Sequence, residues 1–350
     1  LPPVTESSSE GSISMEKYML TLDFETEAIE GNVSKNPPKP VGVAVKQNNM
    51  PARYLSWGHP TGNNISFERA RNELRDLISL ENGNILCQNA KFDTAVLRDH
   101  MGLEVPHWSK VEDTMYLLFF ENPYAKTLSL KPSAEHYLNL PPEEQNALHD
   151  WIIANVAEAA ARPSTAGAYI SRAPASLVGP YAIGDVDRTW QLFQLLHGRV
   201  SQAGMLQAYE REKRLMPIMQ ESERHGIRVD MERLHTDLAM YEQAYARADD
   251  EVRQMLNAPG LNLDSGEEFA DAVERAGYAG QWARTPTGRR STAKGVIEQG
   301  IKHAPLVRLF RYRNALSTCL TTFMRPWAAL AAETGRMHPN WNQVKNARND

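Results

Sequence analysis

Two acidic side chains, Asp23 and Glu25, lie two residues apart in the otherwise mostly apolar stretch Tyr18–Thr26. If this stretch is a β-strand, its period of two places both carboxylates on one face. Two like charges a few ångströms apart in a partly buried sheet repel each other, so a cation is expected to compensate them. Carboxylate oxygens favour Mg²⁺ or Mn²⁺ over zinc. The alternative is an edge strand that exposes its acidic face to water.

Two further carboxylates, Asp93 and Asp185, occur at positions from which they could lie close to Asp23 and Glu25 in the fold. Asp93 follows the short apolar stretch Asn84–Gln88 and would lie near the first turn of a helix, just past a strand end, where α/β folds place ligands. It could equally do no more than complement the helix dipole. Asp185 is four residues after Tyr181, so the two side chains would share one helical face.

The elements that must position these residues show a change of period along the chain. Alternation and turn residues predict strands at 18–26, 41–45, 52–57 and 84–88, and apolar spacing predicts a helix at 67–79. Further helices are predicted at 113–121, 143–161, from Tyr181 onward, 231–257 and 306–324, with a loop at 162–180. Strands that alternate with helices predict an α/β class, with a mixed sheet flanked by helices.

The chain of 350 residues is long enough for two domains. Composition turns helical and charged past Gly204, so we expect a disordered lead-in at 1–17, an α/β domain at 18–204 and a mainly α-helical region at 205–350. The net charge of −5 is unevenly divided: residues 281–350 carry twelve Lys or Arg against three acids, and residues 1–280 carry −14. The basic end could bind a polyanion, or it could be a solvated surface.

Several classes of protein are disfavoured. Cys87 and Cys319 have no paired spacing, which argues against a disulfide framework or a zinc site. No apolar run is long enough for a membrane span, and the start lacks the pattern of a signal peptide. A cytoplasmic location is the expectation. The first residue is Leu, so we expect a fragment or a processed chain.

Taken together, Asp23-x-Glu25, Asn89-Ala-Lys-Phe-Asp93 and Tyr181-x-x-x-Asp185 resemble the 3′→5′ proofreading exonuclease of family A DNA polymerases, the DNA polymerase I type, within the DEDD group of exonucleases. Gln88–Asp93 and Asp23-Phe-Glu-Thr26 are the close matches. The separation of Asp23 from Asp93 is typical of the family, whereas that of Asp93 from Asp185 is longer and indicates an insertion within 143–180. The resemblance implies an RNase H-like fold.

The last carboxylate has a rival in Asp187. Asp185 is preferred because it alone lies four residues after Tyr181. The histidine subgroup of the family would have His five residues before this Asp, where Pro180 stands. Tyr181 therefore indicates the tyrosine subgroup.

The resemblance continues beyond the nuclease. Leu215–Asp230 is similar to the start of the polymerase portion, and 261–265, 285–288 and Tyr312-Arg313 are similar to its thumb. Gly335-Arg-Met-His338 with Gln343 resembles the family's approach to the palm. The polymerase motifs Asp-Tyr-Ser-x-x-Glu and His-Asp-Glu do not occur, so polymerase activity is not expected from this chain.

The resemblance also implies roles for individual residues. Two divalent ions, Mg²⁺ or Mn²⁺, would be bridged by Asp23, with Glu25 and Asp185 on the nucleophile side and Asp93 on the other. Tyr181 would orient the attacking water. Thr26 and Asn89 would contact the terminal nucleotide of a single-stranded DNA 3′ end.

Duplex DNA would lie against the thumb-like region. Its predicted contacts are the basic residues Arg289, Arg290, Lys294, Arg308, Arg311 and Arg313. Replication accessory proteins are not identified by the sequence.

Two other interpretations remain open. One is a free-standing RNase D-like 3′→5′ exonuclease whose C-terminal helices bind RNA. The other is a non-catalytic nucleic-acid-binding module with a decayed nuclease fold. Composition does not separate a bacterial or phage source from an organelle.

Overall fold

The computed structural model describes residues 19–80, 82–285, 288, 290, 291 and 294–344. The predicted lead-in, Tyr18 and Arg289 lie outside the described residues. By contacts the chain forms two compact units, the first assigned to Leu1–His225 with Pro339–Asp350 and the second to Gly226–His338. By this grouping the helix at 206–225 belongs to the first unit, whereas the domain boundary after Gly204 stays a prediction. No helix in the described part of the chain is long and apolar enough to cross a membrane.

The first unit is built on a five-stranded sheet. Its strands are β1 (Leu20–Thr26), β2 (Pro40–Gln47), β3 (Arg53–Ser56), β4 (Ile85–Cys87) and β5 (Val111–Asp113). Their order is β3-β2-β1-β4-β5, with β1 antiparallel to β2 and parallel to β4. The predicted mixed α/β class is confirmed. Because β1 is the central strand, the interpretation of Asp23 and Glu25 as the solvated face of an edge strand is wrong.

In the described part of the first unit, eight α-helices accompany this sheet. They are α1 (Phe67–Leu80), α2 (Ala90–Asp99), α3 (Thr114–Glu121), α4 (Leu130–Leu138), α5 (Glu143–Asn155), α6 (Ala157–Ala161), α7 (Ala175–Gln202) and α8 (Leu206–His225). Leu22 and Phe24 of β1 join one apolar core, whereas Ala44 and Tyr54 of the neighbouring strands join another with α5 and α7. The acids of β1 share the latter face, since side chains alternate along a strand.

The predicted loop at 162–180 is wrong. Residues Pro163–Arg172 form a 3₁₀ helix, and α7 begins at Ala175, so Pro180 lies inside it. Proline removes only one backbone hydrogen bond there, the one that residue 180 would donate to the Ser176 carbonyl. Burial of Val178 and Ala182 keeps the segment helical. Asp113 was also predicted to lie in a helix, but it ends β5 and caps α3.

The second unit is mainly helical, as predicted. It contains α9 (Met231–Met255), α10 (Gly266–Arg275), α11 (Lys294–Gln299), α12 (Ala304–Thr318), a π-helical turn at Cys319–Met324 and α13 (Arg325–Ala331). Two short antiparallel strands, β6 (Ile227–Arg228) and β7 (Arg336–Met337), join its ends. Phe269 stacks on Phe310 at 4.1 Å in its core.

Candidate active site

Three of the predicted carboxylates come together on one face of the sheet. Asp23 and Glu25 lie on β1 opposite Ala44 and Gly42 of β2, and Asp185 reaches them from α7. One carboxylate oxygen from each of the three lies within 4.8 Å of the others. Asp187, the rival, pairs instead with Lys46 at 2.9 Å. The arrangement offers three oxygen ligands to a single cation.

Asp93 lies beside this group in the first turn of α2. Its Oδ1 accepts a hydrogen bond from the Phe24 backbone N–H at 3.1 Å, which ties α2 to β1 between the two acids. Its Oδ2 is buried and has no hydrogen-bond partner among the residues that the structure describes. A buried carboxylate oxygen without a partner is costly, and a cation bound beside Asp93 would remove that cost.

Asp113 sets where α2 begins, a role that no local pattern in the sequence indicates. Its Oδ1 accepts from Asn89 N at 2.9 Å and from Met115 N at 2.8 Å, and its Oδ2 accepts from Ala90 N at 2.8 Å. Asn89 adopts the left-handed conformation with φ 67°. The two parallel strands β4 and β5 bring Asp113 next to the start of α2 and thereby position Asp93.

Burial dominates the electrostatics of the acids. It raises the pKa of Asp23 from 3.8 to about 7, with Asp185 adding repulsion. It raises the pKa of Glu25 and of Asp93 well above their usual values, again with repulsion from Asp23. Such mutual repulsion is relieved when a cation binds among the carboxylates.

Two cations near Asp185 were not predicted. Lys131 Nζ of α4 lies 2.6 Å from Asp185 Oδ2 and 3.8 Å above the centroid of the Tyr181 ring. Arg188 Nη1 lies 3.5 Å from Asp185 Oδ1 and also bonds to Glu144. Burial raises the pKa of Asp185, and Lys131 opposes that increase. Lys131 could not be found from spacing, because α4 is distant in sequence from α7, whereas Arg188 lies three residues after Asp185 on the same helix.

Tyr181 lies one helical turn before Asp185 on α7, as predicted. Burial raises the pKa of its phenol, and Glu25 adds to the effect, so the hydroxyl is neutral at ordinary pH. A neutral hydroxyl can both donate and accept a hydrogen bond.

A second tyrosine, Tyr54 of β3, packs on the same face of the sheet. Its hydroxyl bonds to His59 Nε2 at 2.7 Å, while His59 Nδ1 bonds to the Ala173 carbonyl at 2.9 Å. The carbonyl requires a proton on Nδ1, so neutral His59 accepts a hydrogen bond from the Tyr54 hydroxyl at Nε2. A Cβ atom added to Gly42 would lie 2.1 Å from the Tyr54 hydroxyl, so only glycine fits opposite Glu25.

The predicted nucleotide contacts lie at the same edge of the sheet. Thr26 is the last residue of β1, and its hydroxyl donates to the Glu27 carbonyl at 2.9 Å. Asn89 precedes α2. Because β1 and β4 are parallel, their carboxyl ends meet at this edge beside Asp93.

The predicted basic contacts of the second unit are in varied environments. Arg313 is only 3% exposed and pairs with Asp249 and Asp264, each at 2.7 Å, so its role is structural. Arg311 pairs with Glu298 at 2.6 Å.

Four further basic residues were predicted to contact DNA from that unit. Arg290 bonds to Asp271 and lies 3.1 Å from Glu274. Arg308 is exposed. Arg289 and the side chain of Lys294 are outside the described part of the chain.

Known proteins similar to this chain are DNA polymerases. DNA polymerase I of Rhizobium leguminosarum is 26% identical over 309 residues, which is 84% of this chain and 28% of that protein. DNA polymerase DpoZ of Salmonella phage PMBT28 is 23% identical over 318 residues, 88% of this chain and 48% of that protein. The thermostable DNA polymerase I of Thermus thermophilus is 30% identical over 162 residues, 45% of this chain and 19% of that protein.

The fold has a counterpart among solved structures. The polymerase domain of Pol1 from M. smegmatis, in complex with DNA primer-template and dNTP, matches with a TM-score of 0.64 and 14% identity over 94% of this chain and 49% of that one. No protein-family model matches the chain. The chain thus spans less than half the length of these relatives. Similarity to polymerases of bacteria and phages runs over most of the chain and agrees with the resemblance of its motifs to family A of the DNA polymerases, the DNA polymerase I type.

Proposed function

We propose that this chain carries the 3′→5′ proofreading exonuclease of a family A DNA polymerase and removes 3′-terminal nucleotides from DNA. The observation that carries the proposal is the convergence of Asp23, Glu25 and Asp185 within 4.8 Å, with the unpartnered oxygen of Asp93 beside them. The strand order, with a central β1 antiparallel to β2 and parallel to β4, supports an RNase H-like fold for this unit.

The donor set fits divalent cations. All the candidate ligands are carboxylates, the chemistry that Mg²⁺ and Mn²⁺ prefer. Asp23, Glu25 and Asp185 would hold one ion, and Asp23 with Asp93 would hold a second. When bound, such ions lower the pKa of an attacking water and stabilise the oxygen that leaves.

Residues of the chain would orient the water, hold the carboxylates in place and contact the nucleotide. The neutral Tyr181 hydroxyl would orient the water by accepting or donating a proton in a hydrogen bond. The Phe24 N–H keeps Asp93 against β1, and Asp113 keeps the start of α2 in place. Thr26 and Asn89, at the carboxyl edge of the sheet, would contact the terminal nucleotide. Contacts to backbone and metal predict little preference among bases and a preference for single-stranded ends.

DNA is the proposed partner because the relatives are DNA polymerases, and the similar Pol1 domain is in complex with a DNA primer-template. We assign the duplex contact to the second unit, where exposed Arg308 is the best placed of the predicted residues and buried Arg313 is left out. Phosphate contacts would make that affinity fall with rising salt.

The test is a matched pair of variants on one helix. The assay resolves products from a 5′-labelled single-stranded DNA oligonucleotide with Mg²⁺, beside an EDTA control. We expect a ladder that shortens from the 3′ end with the wild type and with Asp187→Asn, and none with Asp185→Asn. Asp187 pairs with Lys46 outside the cluster, so the control removes the same charge two residues away.

Other results would redirect the assignment. Equal loss in Asp187→Asn and Asp185→Asn would contradict the assignment of the site to Asp185. Faster hydrolysis of an RNA oligonucleotide would favour the RNase D-like interpretation. A folded wild-type protein that binds the oligonucleotide without shortening it would favour the non-catalytic module.

A further inference from the structure

We propose that Lys131 is a tethered cation that occupies Asp185 while no divalent ion is bound and leaves it when one binds, so that Lys131 sets the metal affinity of the site. The inference rests on the proposed function for its biological meaning. Its physical content concerns only cation binding to this chain.

Lys131 is held at the carboxylate cluster by two contacts. Its ammonium lies 2.6 Å from Asp185 Oδ2 and 3.8 Å above the Tyr181 ring. The side chains of Lys131 and Asp185 are only 13% and 7% exposed. An ion pair so placed is stronger than a surface pair, because little water screens it.

The position of Lys131 on its own helix does not explain its placement. Lys131 is the second residue of α4, and the positive end of a helix disfavours a cation in its first turn. The attraction of the acidic cluster, mainly of Asp185, compensates for this unfavourable interaction with the helix dipole. Lys131 also opposes the raised pKa values of Asp23 and Glu25. The ammonium therefore does, with one charge, part of what a divalent ion would do.

A divalent ion and Lys131 compete for the same carboxylate. Asp185 belongs to the three-oxygen group that would hold the ion, and its Oδ2 is already taken by the ammonium. Two cations at one carboxylate repel each other. The Lys131 side chain is long, flexible and partly exposed, whereas Asp185 is fixed on α7, so the ammonium is the group that moves. Its departure also uncovers the Tyr181 ring.

The first test measures Mn²⁺ binding to the full chain by calorimetry, without DNA. Because Lys131→Met removes the competing ion pair, we expect this variant to bind Mn²⁺ about tenfold more tightly than the wild type. Lys131→Arg, which keeps the charge, should stay within about twofold of the wild type. Lys126→Met is the matched control, since Lys126 is an exposed lysine of the same segment, and its affinity should not change. Equal or weaker binding by Lys131→Met overturns the proposal.

The second test needs no variant and so does not depend on whether Lys131→Met folds. Lysines of the wild type are acetylated briefly with and without Mn²⁺, and the modification is located by mass spectrometry. The proposal predicts that acetylation of Lys131, relative to Lys126, rises when Mn²⁺ is added. An unchanged ratio would mean that the ammonium stays at Asp185 and would overturn displacement.

These measurements separate the inference from the proposed function. Tighter Mn²⁺ binding and greater acetylation, with no hydrolysis by the wild type, would support the cation exchange and reject the exonuclease. Normal hydrolysis with neither change would leave the exonuclease and reject the role of Lys131.

Discussion

Gly42→Ala tests how tightly the second tyrosine is fitted against β2. The added Cβ would lie 2.1 Å from the Tyr54 hydroxyl oxygen, 2.3 Å from Cζ and 2.7 Å from Cε2. Contacts this short require the ring to move. The ring is not free to move, because its hydroxyl donates to His59, which is itself fixed by the Ala173 carbonyl.

The expected cost follows from these contacts. Overpacking of a core site costs about 1–3 kcal/mol, and loss of the Tyr54–His59 hydrogen bond adds about 0.5–1.5 kcal/mol. The preference of a strand for alanine over glycine returns about 0.5–1 kcal/mol. We therefore expect Gly42→Ala to lower the free energy of unfolding by about 1–3 kcal/mol. Since Gly42 faces Glu25 across the strand pair, DNA hydrolysis should slow as well.

Equilibrium urea unfolding in EDTA measures the decrease in the free energy of unfolding. Hydrogen exchange of the β2 and β3 amides shows whether the first unit is the part that is destabilised. Gly198→Ala on α7 is the matched control, because nothing lies within 4 Å of its added Cβ, and it should gain up to about 1 kcal/mol. In a Tyr54→Ala background the ring is gone, so Gly42→Ala should cost little there. An equal cost in both backgrounds, or none in either, would refute the steric explanation.

Two further predictions concern the site itself. Tyr181→Phe should slow hydrolysis but less than Asp185→Asn does, since it removes a water-orienting hydroxyl and not a ligand; equal losses in the ladder assay would contradict that role. Burial raises the pKa of Asp23 from 3.8 to about 7, so the protonated form is favoured by folding and its stabilisation fades as pH rises through 7. In EDTA, the melting temperature of Asp23→Asn relative to the wild type should therefore rise between about pH 5 and pH 8, and a flat difference would contradict it.

The pairing of Asp23 with Glu25, and of Tyr181 with Asp185, on shared faces could be predicted because each pair belongs to a short local pattern. Alternation places Asp23 and Glu25 on one face of β1, and helical spacing places Tyr181 and Asp185 on one face of α7. The same logic failed at 162–180. The Ala, Ser, Gly and Pro content of this segment is typical of a loop. Small residues also let α7 pack closely against Tyr54: a Cβ atom added to Gly179 would lie 3.6 Å from the Tyr54 ring.

The residues that sequence reasoning missed act through contacts between distant segments. Lys131 meets Asp185 only because α4 packs on α7, and Asp113 meets Asn89 only because β4 and β5 are parallel. No local pattern encodes either pairing. The excess of basic residues at 281–350 likewise did not indicate that Arg313 would be buried against two acids. Whether a charge binds a partner or faces solvent is decided by the fold.

The distribution of counter-charge distinguishes the two proposed cation positions. In the described part of the chain, the ion pairs of the site fall on Asp185, which has Lys131 and Arg188. Asp23, Glu25 and Asp93 take part in no ion pair among those residues, although burial raises the pKa of all three. Lys131 at Asp185 relieves the repulsion at Asp23 and Glu25 only in part. A cation that enters between Asp23 and Asp93 gains from the remaining repulsion while Lys131 stays at Asp185. The ion held by Asp23, Glu25 and Asp185 must displace Lys131, so its affinity is the one that Lys131 sets.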